Sequence, residues 1–92
     1  MNWHDEVDEY LYLCNKSREY KSEIIELRRE NRWHLYHVKN LNRLEEPTRT
    51  QCEIMRDFRD SISYNHDRID ELLLVLDEIN EALAGEICGF NR

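Results

Sequence analysis

The sequence has few residues that break helices: 2 glycines and 1 proline among 92 residues. Because glycine and proline supply the turns of multi-stranded folds, this scarcity disfavours a β-sandwich or a β-barrel. Apolar runs of about 18 residues, the length that a transmembrane helix needs, are also absent, which predicts no membrane span. Hydrophobic residues still make up 40% of the chain, which is typical of a folded protein. We therefore expect one small domain over residues 1–92.

Cysteine is scarce as well. Cys14, Cys52 and Cys88 are an odd number at long spacings, and no Cys-x-x-Cys pair occurs. This pattern disfavours a disulfide framework and indicates free thiols in a reducing compartment. The first residues are acidic rather than basic and apolar, so we expect no signal peptide. These features together predict a cytoplasmic protein.

The main pattern in the sequence is two long series of regularly spaced, mostly apolar residues, which we call seams. In each seam the spacing alternates between three and four, which is the heptad pattern of a helix packed lengthwise against another helix. The first seam consists of Tyr10, Leu13, Ser17, Tyr20, Ile24, Leu27, Asn31, His34, Val38 and Leu41. The second seam consists of Met55, Phe58, Ile62, Asn65, Ile69, Leu72, Leu76, Ile79 and Leu83. A break in the first seam near residues 15–17, giving three helices instead of two, stays open.

The boundary between the two seams is marked by Pro47, which cannot continue a helix. Two overlapping capping boxes follow it, one from Thr48 to Gln51 and one from Thr50 to Glu53. Near the end of the chain, Gly85 is a natural helix C-cap, and Asn2 is a natural N-cap at the start. The predicted elements are a first helix over about residues 3–44, a turn at 45–49, a second helix over 50–84 and a short tail at 85–92.

The short connection predicts an all-α fold in which the two helices form a long, antiparallel, coiled-coil-like hairpin. In such a hairpin, position i lies beside roughly position 94 minus i. Ile24 then meets Ile69, and Asn31 and His34 fall beside Phe58 and Asn65. A polar layer of this kind usually fixes the register of paired helices, and we prefer that role to a catalytic or metal-binding one.

The apolar face widens toward the open end of the hairpin, and two helices cannot cover it. The residues that flank the seams there, and that we expect in a dimer interface, are Leu11, Cys14, Leu73, Val75 and Ala82. A second copy that covers them would give a homodimeric four-helix bundle. A different protein is the alternative.

Charge is distributed unevenly, and the formal net charge is −7. The hairpin brings together an acidic face at its open end, formed by Asp5, Glu6, Asp8, Glu9, Asp77, Glu78 and Glu81. Such a face either keeps the protein soluble or meets a basic partner, and it disfavours direct binding of nucleic acid. One alternative function follows, in which the acidic face mimics nucleic acid and occupies a basic groove.

A second candidate surface lies on the first helix, where Arg29, Arg32, Trp33 and Tyr36 point away from the seam. We call these four residues the partner patch. Tryptophan, tyrosine and arginine dominate the energetics of protein interfaces, so we expect the patch to bind a protein. Arginine beside aromatic rings also suits a phosphate or a stacked base, which makes nucleotide or RNA binding another alternative.

Signs of catalysis are lacking. The sequence has no glycine-rich phosphate loop, no Glu-x-x-His pair for a di-iron centre and no third firm ligand beside His34 and His37. We therefore expect no enzyme, no metal and no cofactor. The favoured function is a small acidic interaction module that acts as a regulator, inhibitor or adaptor. By analogy with other small acidic helical proteins, one form of this function is a phage-encoded inhibitor of a host or defence protein.

Overall fold

The computed structural model describes the backbone of residues 3–90 and the side chains of residues 7–85. Over this part of the chain it contains two helices, α1 (Trp3–Asn42) and α2 (Arg49–Phe90), and no strand. The helices pack against each other as an antiparallel hairpin that measures 68 × 18 × 14 Å. The predicted all-α hairpin is confirmed. Because α1 is unbroken through residues 15–17, the alternative with three helices is wrong.

The turn is formed as the first capping box predicts. The backbone N–H of Thr48 donates to Gln51 Oε1 at 2.8 Å, and the N–H of Gln51 donates to Thr48 Oγ1 at 3.1 Å. The first helical bond joins Cys52 N to Thr48 O at 3.0 Å, so Thr48 is the N-cap of α2. Thr50 consequently lies inside the first turn, and its predicted partner Glu53 pairs with Arg49 instead, at 3.4 Å.

The far end of α2 differs from the prediction. A helix end near residue 84 is wrong, because α2 continues through Gly85 to Phe90. Gly85 does not adopt the left-handed conformation that a C-cap requires. A single glycine costs a helix only about 1 kcal/mol, and no proline follows to stop it. The predicted N-cap Asn2 lies outside the described residues.

The core follows the two seams. Every residue of the second seam is buried or half-buried, and so is every residue of the first seam except Tyr10. The buried centre consists of Ile24, Ile69, Leu72 and Leu76, with Tyr20 and Leu27 packed against it. The predicted pairing of Ile24 with Ile69 is confirmed, and so is the register of the hairpin.

The predicted polar layer also forms. Asn65 Nδ2 donates to Asn31 Oδ1 at 2.9 Å, and the ring of His34 lies 5.2 Å from that of Phe58. Asn31 Nδ2 and His34 Nδ1 are buried and have no hydrogen-bond partner within the described part of the chain. The layer is thus only partly satisfied, which is costly in an apolar interface and limits the stability of the hairpin.

Candidate interaction surfaces

The four residues of the partner patch are all exposed, but they do not form one surface. Trp33 is 55% exposed and Tyr36 is 62% exposed. Successive residues of a helix are turned by about 100°, which separates Arg32 from Trp33 across the helix. Arg32 lines a groove on one side of the hairpin, whereas Trp33 contacts α2 on the other side.

Trp33 belongs to an aromatic cluster that also contains His34, Tyr36, His37 and Phe58. The Trp33 ring lies edge-on to His37, with centroids 4.2 Å apart, and edge-on to Phe58 at 5.7 Å. Tyr36 meets His37 edge-on at 5.5 Å. Edge-to-face contacts suit the charge distribution of aromatic rings, so the cluster holds Trp33 in place while half of it stays exposed.

Sequence reasoning missed how this cluster is assembled. It placed Trp33 away from the seam, whereas its ring contacts Phe58 of the second seam. It also left His37 without a role, although the His37 and Phe58 rings stack at 5.5 Å. The spacing of four between Trp33 and His37, on the same helix face, was the available signal.

Polar contacts lie beside the aromatic cluster, both within α1 and between the two helices. Glu30 Oε1 lies 3.1 Å from His34 Nε2. Hydrogen bonds from His34 and then from Asn65 hold the pKa of Glu30 below its ordinary value. Further along, Arg68 Nε donates to Glu23 Oε1 at 3.1 Å across the two helices, and Arg68 also pairs with Glu71. These carboxylates raise the pKa of Arg68, Glu23 more than Glu71.

On the opposite side, the two helices leave an open groove of about 580 Å³. Its apolar lining includes Ile25, Leu35 and Leu73, which are 55%, 44% and 40% exposed. The other lining residues are Arg28, Asn31, Arg32, Ile62, His66, Ile69 and Asp70. Of these lining residues, the sequence analysis assigned only Arg32 and Leu73 to an interaction surface. It missed Ile25 and Leu35, which lie outside the seams but continue a spacing of three and four with Arg28 and Arg32.

The five residues predicted for a dimer interface lie on more than one face. Leu11 is 52% exposed, Ala82 is exposed, and Cys14 and Val75 are half-buried. Leu73 lines the groove. Val75 follows Leu73 by two positions, which turns it about 200° around α2 and away from the groove.

At the open end, the described acidic side chains are all exposed: Asp8, Glu9, Asp77, Glu78 and Glu81. None of them forms an ion pair with another residue whose side chain the structure describes. The side chains of Asp5 and Glu6 lie outside the described residues. The antiparallel helices bring the start of α1 and the end of α2 to the same end of the hairpin.

Among the described residues, histidine, cysteine and acidic side chains form no group of three or more that could hold a metal ion. Neither helix contains, over the same residues, a stretch both apolar and long enough to cross a membrane.

Comparison of the chain with protein-family models, curated proteins and solved structures found no match. Its function is therefore inferred from these surfaces.

Proposed function

We propose that this chain is a non-enzymatic interaction module that regulates, inhibits or links another protein by binding it through the aromatic cluster. One observation carries the proposal. Trp33 and Tyr36 are both more than half exposed, yet their rings are positioned by contacts with His37 and Phe58. An exposed aromatic pair that is already ordered binds a partner with little loss of side-chain entropy.

The chemistry of this surface favours a protein as the ligand. Tryptophan and tyrosine contribute most when a partner excludes water from around them. Arg29 is also exposed, one helical turn before Trp33, and adds a charged group suited to a carboxylate. The net charge of −7 opposes the phosphate backbone of a nucleic acid.

A pull-down from lysate of the source cells tests the proposal. We expect the Trp33→Ala/Tyr36→Ala variant to lose a protein that the wild-type chain captures, with or without nuclease treatment. Removing two interface aromatics typically weakens binding by more than about 2 kcal/mol, or roughly thirtyfold.

The matched control is Tyr64→Ala, because Tyr64 is 72% exposed and lies outside the aromatic cluster. This variant should capture the partner as well as wild type does. Equal capture by all three chains would contradict the proposed site. Capture that nuclease abolishes would instead support the RNA alternative.

A second candidate function, mimicry of nucleic acid, is favoured by the exposed carboxylates at the open end, which pair with no basic side chain among residues 7–85. In this case a basic protein would be captured by the wild type and by the Trp33→Ala/Tyr36→Ala variant alike. Capture would fall steeply as salt rises, because the attraction is between exposed charges. The variant Glu78→Gln/Glu81→Gln should then lose the partner, and retention by this variant would exclude the candidate.

A further inference from the structure

We propose that a second copy of this chain covers the groove, with the turns of both copies at the same end. The inference concerns the side of the hairpin opposite to the aromatic cluster, so it does not depend on the proposed function.

The solvent-accessible surface of the chain is large enough to accommodate an interface with a second copy. A compact monomer of 11.3 kDa exposes about 5,700 Å², whereas this chain exposes 7514 Å². The difference, about 1,800 Å², accompanies the elongated shape of 68 × 18 × 14 Å, and it leaves ample surface for the roughly 800 Å² that each partner buries in a standard interface. Only six hydrophobic side chains are counted as buried among the described residues, and such a small core is marginal for an isolated chain.

Toward the open end, the two walls of the groove carry opposite charge. On α1, the lining residues Ile25, Arg28, Arg32 and Leu35 belong to a longer stripe at the same helical spacing. The five charged members of that stripe are all basic: Arg18, Lys21, Arg28, Arg32 and Lys39. On α2, the wall toward the open end carries Asp70 and, seven residues on, Asp77. No ion pair within the described part of the chain neutralises Arg28, Arg32 or Asp70.

This asymmetry selects one arrangement of two copies. When identical faces meet in a two-fold dimer, the symmetry axis lies in the interface. An axis across the hairpin would place α1 against α1, so that the basic stripes of both copies face each other. An axis along the hairpin places α1 of each copy against α2 of the other, so that Arg28 approaches Asp70 and Arg18 approaches Asp77. The second arrangement gives both acidic residues of the α2 wall a basic partner and puts Ile25, Leu35 and Leu73 between the helices.

Sedimentation equilibrium from about 1 to about 100 μM protein, a range that spans ordinary dimer affinities, tests this arrangement. The wild type should have twice the mass of 11.3 kDa. Arg18→Glu/Arg28→Glu and Asp70→Arg/Asp77→Arg should each raise the dimer Kd at least tenfold, because like charges then face each other. An equimolar mixture of the two variants should restore the dimer, since both walls are complementary again.

Matched controls carry the same change of charge away from the groove: Arg29→Glu/Arg43→Glu and Asp67→Arg/Glu78→Arg. They should dimerise as the wild type does, and circular dichroism should show equal helicity for all chains. A wild-type monomer at every concentration would overturn the proposal. A dimer unaffected by either groove variant would overturn it as well, because the copies would then meet elsewhere or with α1 against α1.

Discussion

At the scale of single residues, the polar layer is the most consequential feature. Asn31 and Asn65 share one hydrogen bond in an interface that is otherwise mainly apolar. In that bond Asn31 is the acceptor, and its own amide nitrogen, Nδ2, is buried with no hydrogen-bond partner among the described residues. Buried polar side chains reduce the stability of a helix interface, but they also disfavour every alternative register in which they would lose their hydrogen bonds. The layer therefore lowers stability and makes the pairing of the helices unique.

Replacing one of these asparagines should be more harmful than replacing both. Asn65→Leu leaves the whole amide of Asn31 without a protein partner, and we expect a loss of about 1–3 kcal/mol in the free energy of unfolding. The double variant Asn31→Leu/Asn65→Leu should be at least as stable as wild type, because neither side-chain amide is then left without a partner. Urea unfolding at one protein concentration measures both. A single variant as stable as wild type would show that the hydrogen bond contributes nothing.

Glu30 should make the stability depend on pH in the acid range. Its pKa in the folded chain lies below the ordinary value of 4.5, so the unfolded chain binds a proton first as pH falls. The stabilisation is complete above the ordinary pKa and is lost as pH falls through the folded pKa. We expect Glu30→Gln to be less stable than wild type at pH 7 and to lose less stability below about pH 4.5. Thermal unfolding across that range measures it.

The control for Glu30 is Glu26→Gln, which removes an exposed carboxylate one turn earlier on α1. Its stability should follow the wild-type pH profile. A Glu30→Gln profile parallel to wild type would mean that the contact with His34 does not form in solution.

At the scale of elements, the start of α2 shows how far local chemistry determines a boundary. Both capping boxes were visible in the sequence, but a helix has one N-cap, and the box nearer to Pro47 provides it. The other end of α2 was predicted wrongly because Gly85 favours a cap only where the chain needs to turn. The start of α2 was predictable because side-chain hydrogen bonds define it. Its end depended only on the cost of about 1 kcal/mol that glycine adds inside a helix.

Thr48→Ala should therefore destabilise the hairpin by about 1 kcal/mol, since it removes the acceptor for Gln51 N. Thr50→Ala should be neutral or slightly stabilising, because Thr50 lies within the helix, where alanine is the better residue. Chemical unfolding of the two variants compares them directly. The reverse order of stability would place the N-cap at Thr50.

At the scale of the whole molecule, the sequence predicted how the helices pair but not how their outer surfaces are assembled. The seams fixed the register because apolar periodicity is repeated over many turns. The aromatic cluster and the groove are built from residues beside the seams, such as His37 and Ile25, whose neighbours come from the other helix. A helical pattern gives the direction of a side chain but not its contacts across the hairpin, so the partner patch was divided between two sides.

The single connection between the helices also orders their assembly in time. Every contact between α1 and α2 closes a chain loop through the turn, 34 residues apart in sequence for Asn31 and Asn65 and 45 for Glu23 and Arg68. Closure entropy grows by about 0.6 kcal/mol for each doubling of the loop, so contacts near the turn cost least to form, and we expect pairing to proceed from the turn outward. The aromatic cluster, with Trp33 and Phe58 near the turn, should form early. The acidic residues at the open end should come together last, so that their mutual repulsion opposes only the last turns of helix pairing.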